Sequence, residues 1–141
     1  MLDKWDHRFL VLAEHISGWS KDPSTKVGAV ITHTRSKRVI SMGFNGFPAG
    51  VEDTQERLDD RETKYEMVVH AEQNALMFAG ERAEGSSLYV HPLPPCARCA
   101  VMITSTERSS PSRRSNCKCI PSMAVVRRCV FSTSSAWTCS A

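Results

Sequence analysis

The sequence predicts a single α/β domain, and three observations carry that reading. The chain has 141 residues, 41% hydrophobic and 23% charged, which suits one soluble globular domain with one core. Its apolar residues fall at helical spacing near the start and then switch to short β-branched runs. Two alanine-rich stretches follow with one more β-branched run between them, giving the order αββαβα with no internal repeat.

Each element has its own signal. Trp5, Phe9, Leu12, Ile16 and Trp19 form one apolar stripe at alternating four- and three-residue steps, with Asp3 placed to cap the helix. The runs KVGAVITH and RVISMGFN flank the polar stretch TRSK and read as a hairpin of buried strands. From Gly46 to about Glu62 the text is turn-rich and then acidic, which predicts a long loop with room for one short helical turn. VVHAEQNALMFAG is rich in helix formers and stops at Gly80. SSLYVHP is a short strand ended by proline, and CARCAVMI is a second helix whose start Pro95 pre-sets.

Charge narrows the partners. The net charge is +3, yet residues 1–104 carry 12 basic against 14 acidic side chains, so the basic surplus lies beyond them. A nucleic-acid-binding face is therefore not expected in the well-patterned part. The opening MLDKWDHRFLVLAEH scatters charges among its apolar residues, unlike a signal peptide or a membrane span. A cytoplasmic protein is the expectation, in a bacterium or a phage-infected cell.

The chemistry begins at Pro92–Ile103, PLPPCARCAVMI, where Cys96 and Cys99 stand one helical turn apart. A disulfide would have to close a two-residue loop at a helix start, and metal binding or catalysis suits a C-x-x-C in such a chain better. Thioredoxin-like redox sites and structural zinc ribbons share the spacing, so the motif needs partners. His70, Ala71 and Glu72 open the preceding helix and supply them. H-x-E followed by P-C-x-x-C is the recognised signature of zinc nucleobase deaminases. An imidazole and two thiolates bring zinc near charge neutrality and leave its fourth tetrahedral position for water. Residues two apart on a helix point about 200° from each other, so His70 and Glu72 share a site only if the helix mouth faces the metal. Glu72, left uncoordinated, would shuttle the protons. His91 is the nearest further candidate ligand and reads instead as a strand-end residue.

At SKDPSTKVGAVI, SMGFNGFPAG, VVHAEQNALMFA and LPPCARCAVMI, in this order, the chain resembles the cytidine and deoxycytidylate deaminase superfamily, nearest to the deoxycytidylate (dCMP) deaminases. The resemblance spans about residues 5–103. It implies a three-layer α/β/α fold with a central mixed sheet, one catalytic zinc, a homo-oligomer that is often a hexamer, and hydrolysis of dCMP to dUMP and ammonia. Ser24, Thr25 and Lys26 offer hydroxyls and a cation to a monophosphate. The resemblance adds Asn45 as a deoxyribose partner and Ala71, within the metal helix, as a substrate contact; Tyr65, ahead of that helix, is placed to approach the pocket. It also implies an allosteric deoxynucleoside triphosphate, with Mg²⁺, near Gly43, Phe44 and Gly46. A tRNA adenosine or free-nucleoside deaminase, and a catalytically dead zinc-binding domain, are the alternatives.

From Ser105 to Ala141 the text changes character. Ten serines, five arginines and four cysteines occupy these residues with a single acid, Glu107. The family's last strands and helix are not legible there, and Met123–Ser132 is the one strand-like run. The expectation is a deaminase domain over 1–104 and an atypical tail over 105–141, of the kind an out-of-frame reading of a GC-rich gene produces. Cys117, Cys119, Cys129 and Cys139 lack the partner motif of a second metal site.

Overall fold

A computed structural model describes residues 2–105 and, as backbone, the strands 116–120 and 123–127. Helix α1 (Lys4–Ser17) starts at Asp3, whose side chain accepts from the Trp5 and Asp6 amides at 2.7 and 2.9 Å while Asp6 returns the bond to the Asp3 amide. This reciprocal cap starts the helix where the sequence predicts. Strands β1 (Gly28–His33) and β2 (Val39–Phe44) pair antiparallel as the predicted hairpin. Two short helices follow, α2 (Gln55–Asp59) and α3 (Arg61–Met67), capped by Thr54 and Asp60. The predicted loop is seen up to Thr54 and α2 is its short helical turn; the helix the sequence reading lacked is α3, which starts at the end of that stretch. The chain continues through α4 (Ala71–Ala79), a 3₁₀ turn (Gly80–Ala83), β3 (Ser86–His91) and α5 (Ala97–Ser105). Helix α5 begins one residue after Cys96, so Pro95 precedes the cap instead of forming the first turn.

Strands β4 (Asn116–Ile120) and β5 (Met123–Arg127) complete a sheet in the order β2-β1-β3-β5-β4. Every described pairing is antiparallel, including β5 with β3, in place of the expected mixed sheet. The reason is topological: β4 and β5 form their own hairpin, and β5, its second strand, lies beside β3. Within the predicted strand-like run the strand covers Met123–Arg127; Cys129 and Cys139 lie outside the described residues.

The three layers follow from strand alternation. Val30 and Tyr89 face α1 and pack with Phe9, Leu10, Ala13 and Ile16. Ala29, Ile31, Leu88 and Val90 face the other way, against Ala71, Ala75 and Ala79 of α4 and Ile103 of α5. Among the described residues no helix is long and apolar enough to cross a membrane.

Candidate functional site

The mouths of α4 and α5 open onto one spot. His70 occupies the position before α4, and its backbone N–H donates to Gln73 Oε1 at 2.9 Å, which fixes the chain as it enters the helix. Val69, one residue earlier, is bridged to Gly46 by two backbone hydrogen bonds of 2.8 and 3.2 Å. Cys96 stands before α5, its carbonyl accepting from the Ala100 amide at 2.9 Å, and Cys99 lies in the first turn. The Nδ1 atom of His70 is 3.5 Å from Cys96 Sγ and 3.3 Å from Cys99 Sγ. All three donor atoms lie within 4.8 Å of one another.

These separations fit zinc. Bonds of about 2.3 Å to sulfur and 2.0–2.1 Å to nitrogen at a tetrahedral angle set nitrogen and sulfur about 3.5 Å apart. Electrostatics points the same way. Burial, then the Glu72 carboxylate and the neighbouring Cys96, push the Cys99 thiol far above its ordinary range. A buried thiol of that kind becomes a thiolate only beside a cation. Among the described residues His70, Cys96 and Cys99 are the grouping that could hold a metal; His91 is not part of it.

Glu72 sits in the first turn of α4 and is 4% exposed. Burial raises its pKa, against the opposing pull of its own backbone amide, His70 and the Cys99 thiol. A carboxylate whose pKa is raised by burial is a better proton acceptor than a solvated one, which suits a proton carrier.

A cavity of about 270 Å³ joins this centre to a polar wall. His70, Ala71, Glu72 and Cys96 line one side; Ser24, Thr25, Asn45, Tyr65, Asp22 and Lys64 supply the polar wall, with apolar residues such as Val27 and Leu93 between them. The sequence reading placed Lys26 here, and the structure does not: Lys26 is exposed and lies off the cavity wall. Ser24 and Thr25 line the cavity although both are exposed at the surface, and the cation beside them is Lys64, which reaches the wall from α3. Asp22 was also missed, although Asp-Pro-Ser-Thr is a turn signal in which the aspartate collects nearby amides. Its Oδ1 accepts from the Ser24 amide, the Ser24 hydroxyl and the Thr25 amide at 2.8, 2.8 and 3.1 Å. Burial works against its ionisation, but these bonds and Lys64 outweigh it and hold the carboxyl below its usual range.

Asn45 uses its side chain within the protein. Its Oδ1 accepts from the Val27 amide and its Nδ2 donates to the Thr25 carbonyl, each at 2.8 Å. Gly43, expected near a triphosphate, faces α4 instead: a Cβ there would lie 2.5 Å from the Ala71 carbonyl oxygen and the Ala75 nitrogen. Phe44 is partly exposed beside Trp19, and Gly46 has open space where a Cβ would stand.

Comparison with known proteins bears on the same residues. The family model for the cytidine and deoxycytidylate deaminase zinc-binding region matches residues 3–110. The chain belongs to this family. The match ends inside the stretch where the sequence changes character. An uncharacterized deaminase in the luxG 3′ region of Aliivibrio fischeri is 48% identical over 106 residues, covering 75% of this chain and 69% of that protein. Mouse deoxycytidylate deaminase is 38% identical over 109 residues, 71% of this chain but 58% of that protein. The chain thus spans little more than half of the mouse relative. Among solved structures, the dCMP deaminase of cyanophage S-TIM5 in complex with dCMP and dUMP superposes with a TM-score of 0.60 at 27% identity. That likeness covers 75% of this chain and 77% of the phage protein.

Proposed function

We propose that residues 1–104 carry a zinc-dependent deaminase centre that hydrolyses dCMP to dUMP and ammonia, and that the atypical tail over 105–141 adds β5 and β4 to the edge of its sheet. One observation carries the reading: a single cavity is lined at once by the His70 and Cys96 donors, by buried Glu72, and by the polar loop at Ser24 and Thr25. The cyanophage neighbour, captured with dCMP and dUMP, supports the choice of nucleotide.

In this reading His70, Cys96 and Cys99 hold the zinc, which when bound lowers the pKa of water toward neutrality. Glu72 takes a proton from the attacking water as the oxygen–C4 bond forms, and delivers it to the ring nitrogen. It next takes the remaining proton of the C4 hydroxyl and passes it to the amino group, so that C4=O forms as the C4–N bond breaks and ammonia leaves. Ala71 and Tyr65 border the ring and the cavity rim, and Asn45 holds the loop that bears Ser24 and Thr25. The family reading extends to a homo-oligomer, a hexamer among the choices, and to a cytoplasmic location where nucleotides are made. It also extends to a regulatory triphosphate with Mg²⁺ near Phe44 and Gly46. Gly43 has a packing reason of its own.

Glu72→Gln tests the core of the proposal, since glutamine keeps the shape and cannot carry a proton. Zinc content should stay at that of the unaltered protein while dCMP turnover falls at least about 10²-fold. Near-normal turnover with zinc in place would reject Glu72 as the proton carrier. A wild-type chain that binds zinc and releases no ammonia from dCMP, deoxycytidine or a tRNA anticodon stem would favour the catalytically dead domain, a reading motivated by the family match ending at residue 110.

A further inference from the structure

We propose that Lys64 and the Ser24 hydroxyl form the phosphate subsite of the cavity and set its preference for a nucleotide over a nucleoside. This rests on the reading of the cavity as a nucleotide site. Lys64 is a buried lysine, 9% exposed, whose Nζ donates to Ser24 Oγ at 2.7 Å and lies 3.4 Å from Asp22 Oδ1. A buried ammonium is costly unless it is closely paired, and an ammonium has three protons to donate. Its pairing with Asp22 is loose for a defined reason. That oxygen already takes three shorter bonds from Ser24 and Thr25, so the lysine is the fourth and most distant donor. The charge is thus held on a cavity wall with a partial counterion, the condition under which an arriving dianion makes a strong charge-assisted bond.

The loop opposite Lys64 is fixed before any ligand arrives. Asp22 ties down the Ser24 and Thr25 amides, and the Asn45 amide clamps the Thr25 carbonyl and the Val27 amide from the other side. Asn45 is itself anchored, its carbonyl accepting from Ser20 Oγ at 2.7 Å. Such preorganisation lowers the ordering cost of gripping a small anion. Asp22 and Glu72 are the acidic groups on the cavity wall. Asp22 is engaged by the loop, and Glu72 belongs to the metal end. The anion therefore has one place in the cavity where a cation stands beside a hydroxyl, whose proton turns from Asp22 to reach it.

The experiment compares kcat/KM for dCMP and deoxycytidine in wild type, Lys64→Met, Lys64→Arg and Lys26→Met, and measures dUMP and deoxyuridine binding by calorimetry. Lys64→Met should reduce the dCMP-to-deoxycytidine ratio about ten- to a hundredfold, the range of a hydrogen bond to a charged group. The same contrast should appear between dUMP and deoxyuridine affinities. Lys64→Arg should keep most of the preference, and Lys26→Met should leave the ratio at its wild-type value. An unchanged ratio in Lys64→Met, or an equal drop in Lys26→Met, overturns the proposal. Should Lys64→Met fail to fold, Ser24→Ala decides: a lowered ratio supports the subsite and an unchanged one rejects it. A wild type inactive on both substrates would sink the deaminase reading alone, because the dUMP and deoxyuridine affinities still decide the subsite.

Discussion

The two faces of the sheet are built by different means, and the difference explains why the site is on one of them. On the α1 face, bulk fills the space: Phe9, Leu10 and Tyr89 interlock around half of the helix, with Phe9 and Tyr89 ring centres 5.1 Å apart. Only at its far end does α1 come close, where Gly28 leaves room for the Ala13 carbonyl. On the α4 face the contact is made by Ala71, Ala75, Ala79 and Gly43, so backbone rests nearly on backbone. Asn74 and Ser41 add side-chain hydrogen bonds to the Phe44 and Ala75 carbonyls across that contact. Large side chains supply burial energy and tolerate adjustment; a glycine–alanine seam supplies less burial but leaves a helix little freedom to slide. His70 and Glu72 ride on the helix with the tight seam.

Substitutions on each face should therefore separate stability from catalysis. The largest expected effect is on the α1 face. Leu10 is 2% exposed, and Leu10→Ala should cost about 2–5 kcal/mol of unfolding free energy, read from a denaturant titration. At a temperature where the variant remains folded, its zinc content and KM for dCMP should match wild type. A shifted KM would mean that α1 shapes the cavity after all. Next comes Gly43→Ala on the α4 face. The added methyl meets backbone atoms, which cannot rotate away, so α4 must move relative to β2. A displacement of about 1 Å at reacting groups can cost about 10²-fold in rate, or about 2.7 kcal/mol at 1.36 kcal/mol per decade. Turnover should fall by that order. A variant that loses stability without losing turnover would show that the seam does not position the site.

The same contrast explains what the sequence revealed. Helix α1, the β1–β2 hairpin and the mouths of α4 and α5 were legible because each rests on local signals: an apolar stripe, β-branched runs, a capping aspartate, and ligand-type residues at helix starts. The metal triad was legible because its chemistry admits few substitutes. Lys64 was not. It lies among acids and polar residues in Gln55–Met67, text that reads as solvated, and its role depends on a contact 40 positions away with Ser24. Thr54 and Asp60 were the available signals, since each is a helix-capping type placed before helix formers. Lys26 was favoured for its nearness in sequence to Ser24 and Thr25, but the loop before β1 leaves it exposed and off the wall that they line. Asn45 illustrates a related limit. Its place in GFNG was legible, whereas its use as a clamp required the loop from Thr25 to Val27 to be seen beside it.

The smallest effect probes the polar bond buried within the α1 face. Tyr89 is fully buried, and its hydroxyl donates to Asp6 Oδ1 at 2.9 Å, while the other Asp6 oxygen caps α1 through the Asp3 amide. One carboxylate thus ties the start of the helix to the middle strand. Tyr89→Phe removes the hydroxyl and keeps the ring against Phe9, so the packing term should survive. What is lost is one hydrogen bond to a charged group, about 1.5–3 kcal/mol, toward the lower end because Asp6 keeps its bond to the helix cap. Thermal unfolding should register that loss, with the dCMP-to-deoxycytidine ratio at its wild-type value. Asp6→Asn in the Tyr89→Phe background should then cost less than Asp6→Asn alone, since the two residues share one interaction. Additive costs would show that the hydroxyl and the carboxylate act independently, and that this bond does not tie α1 to the sheet.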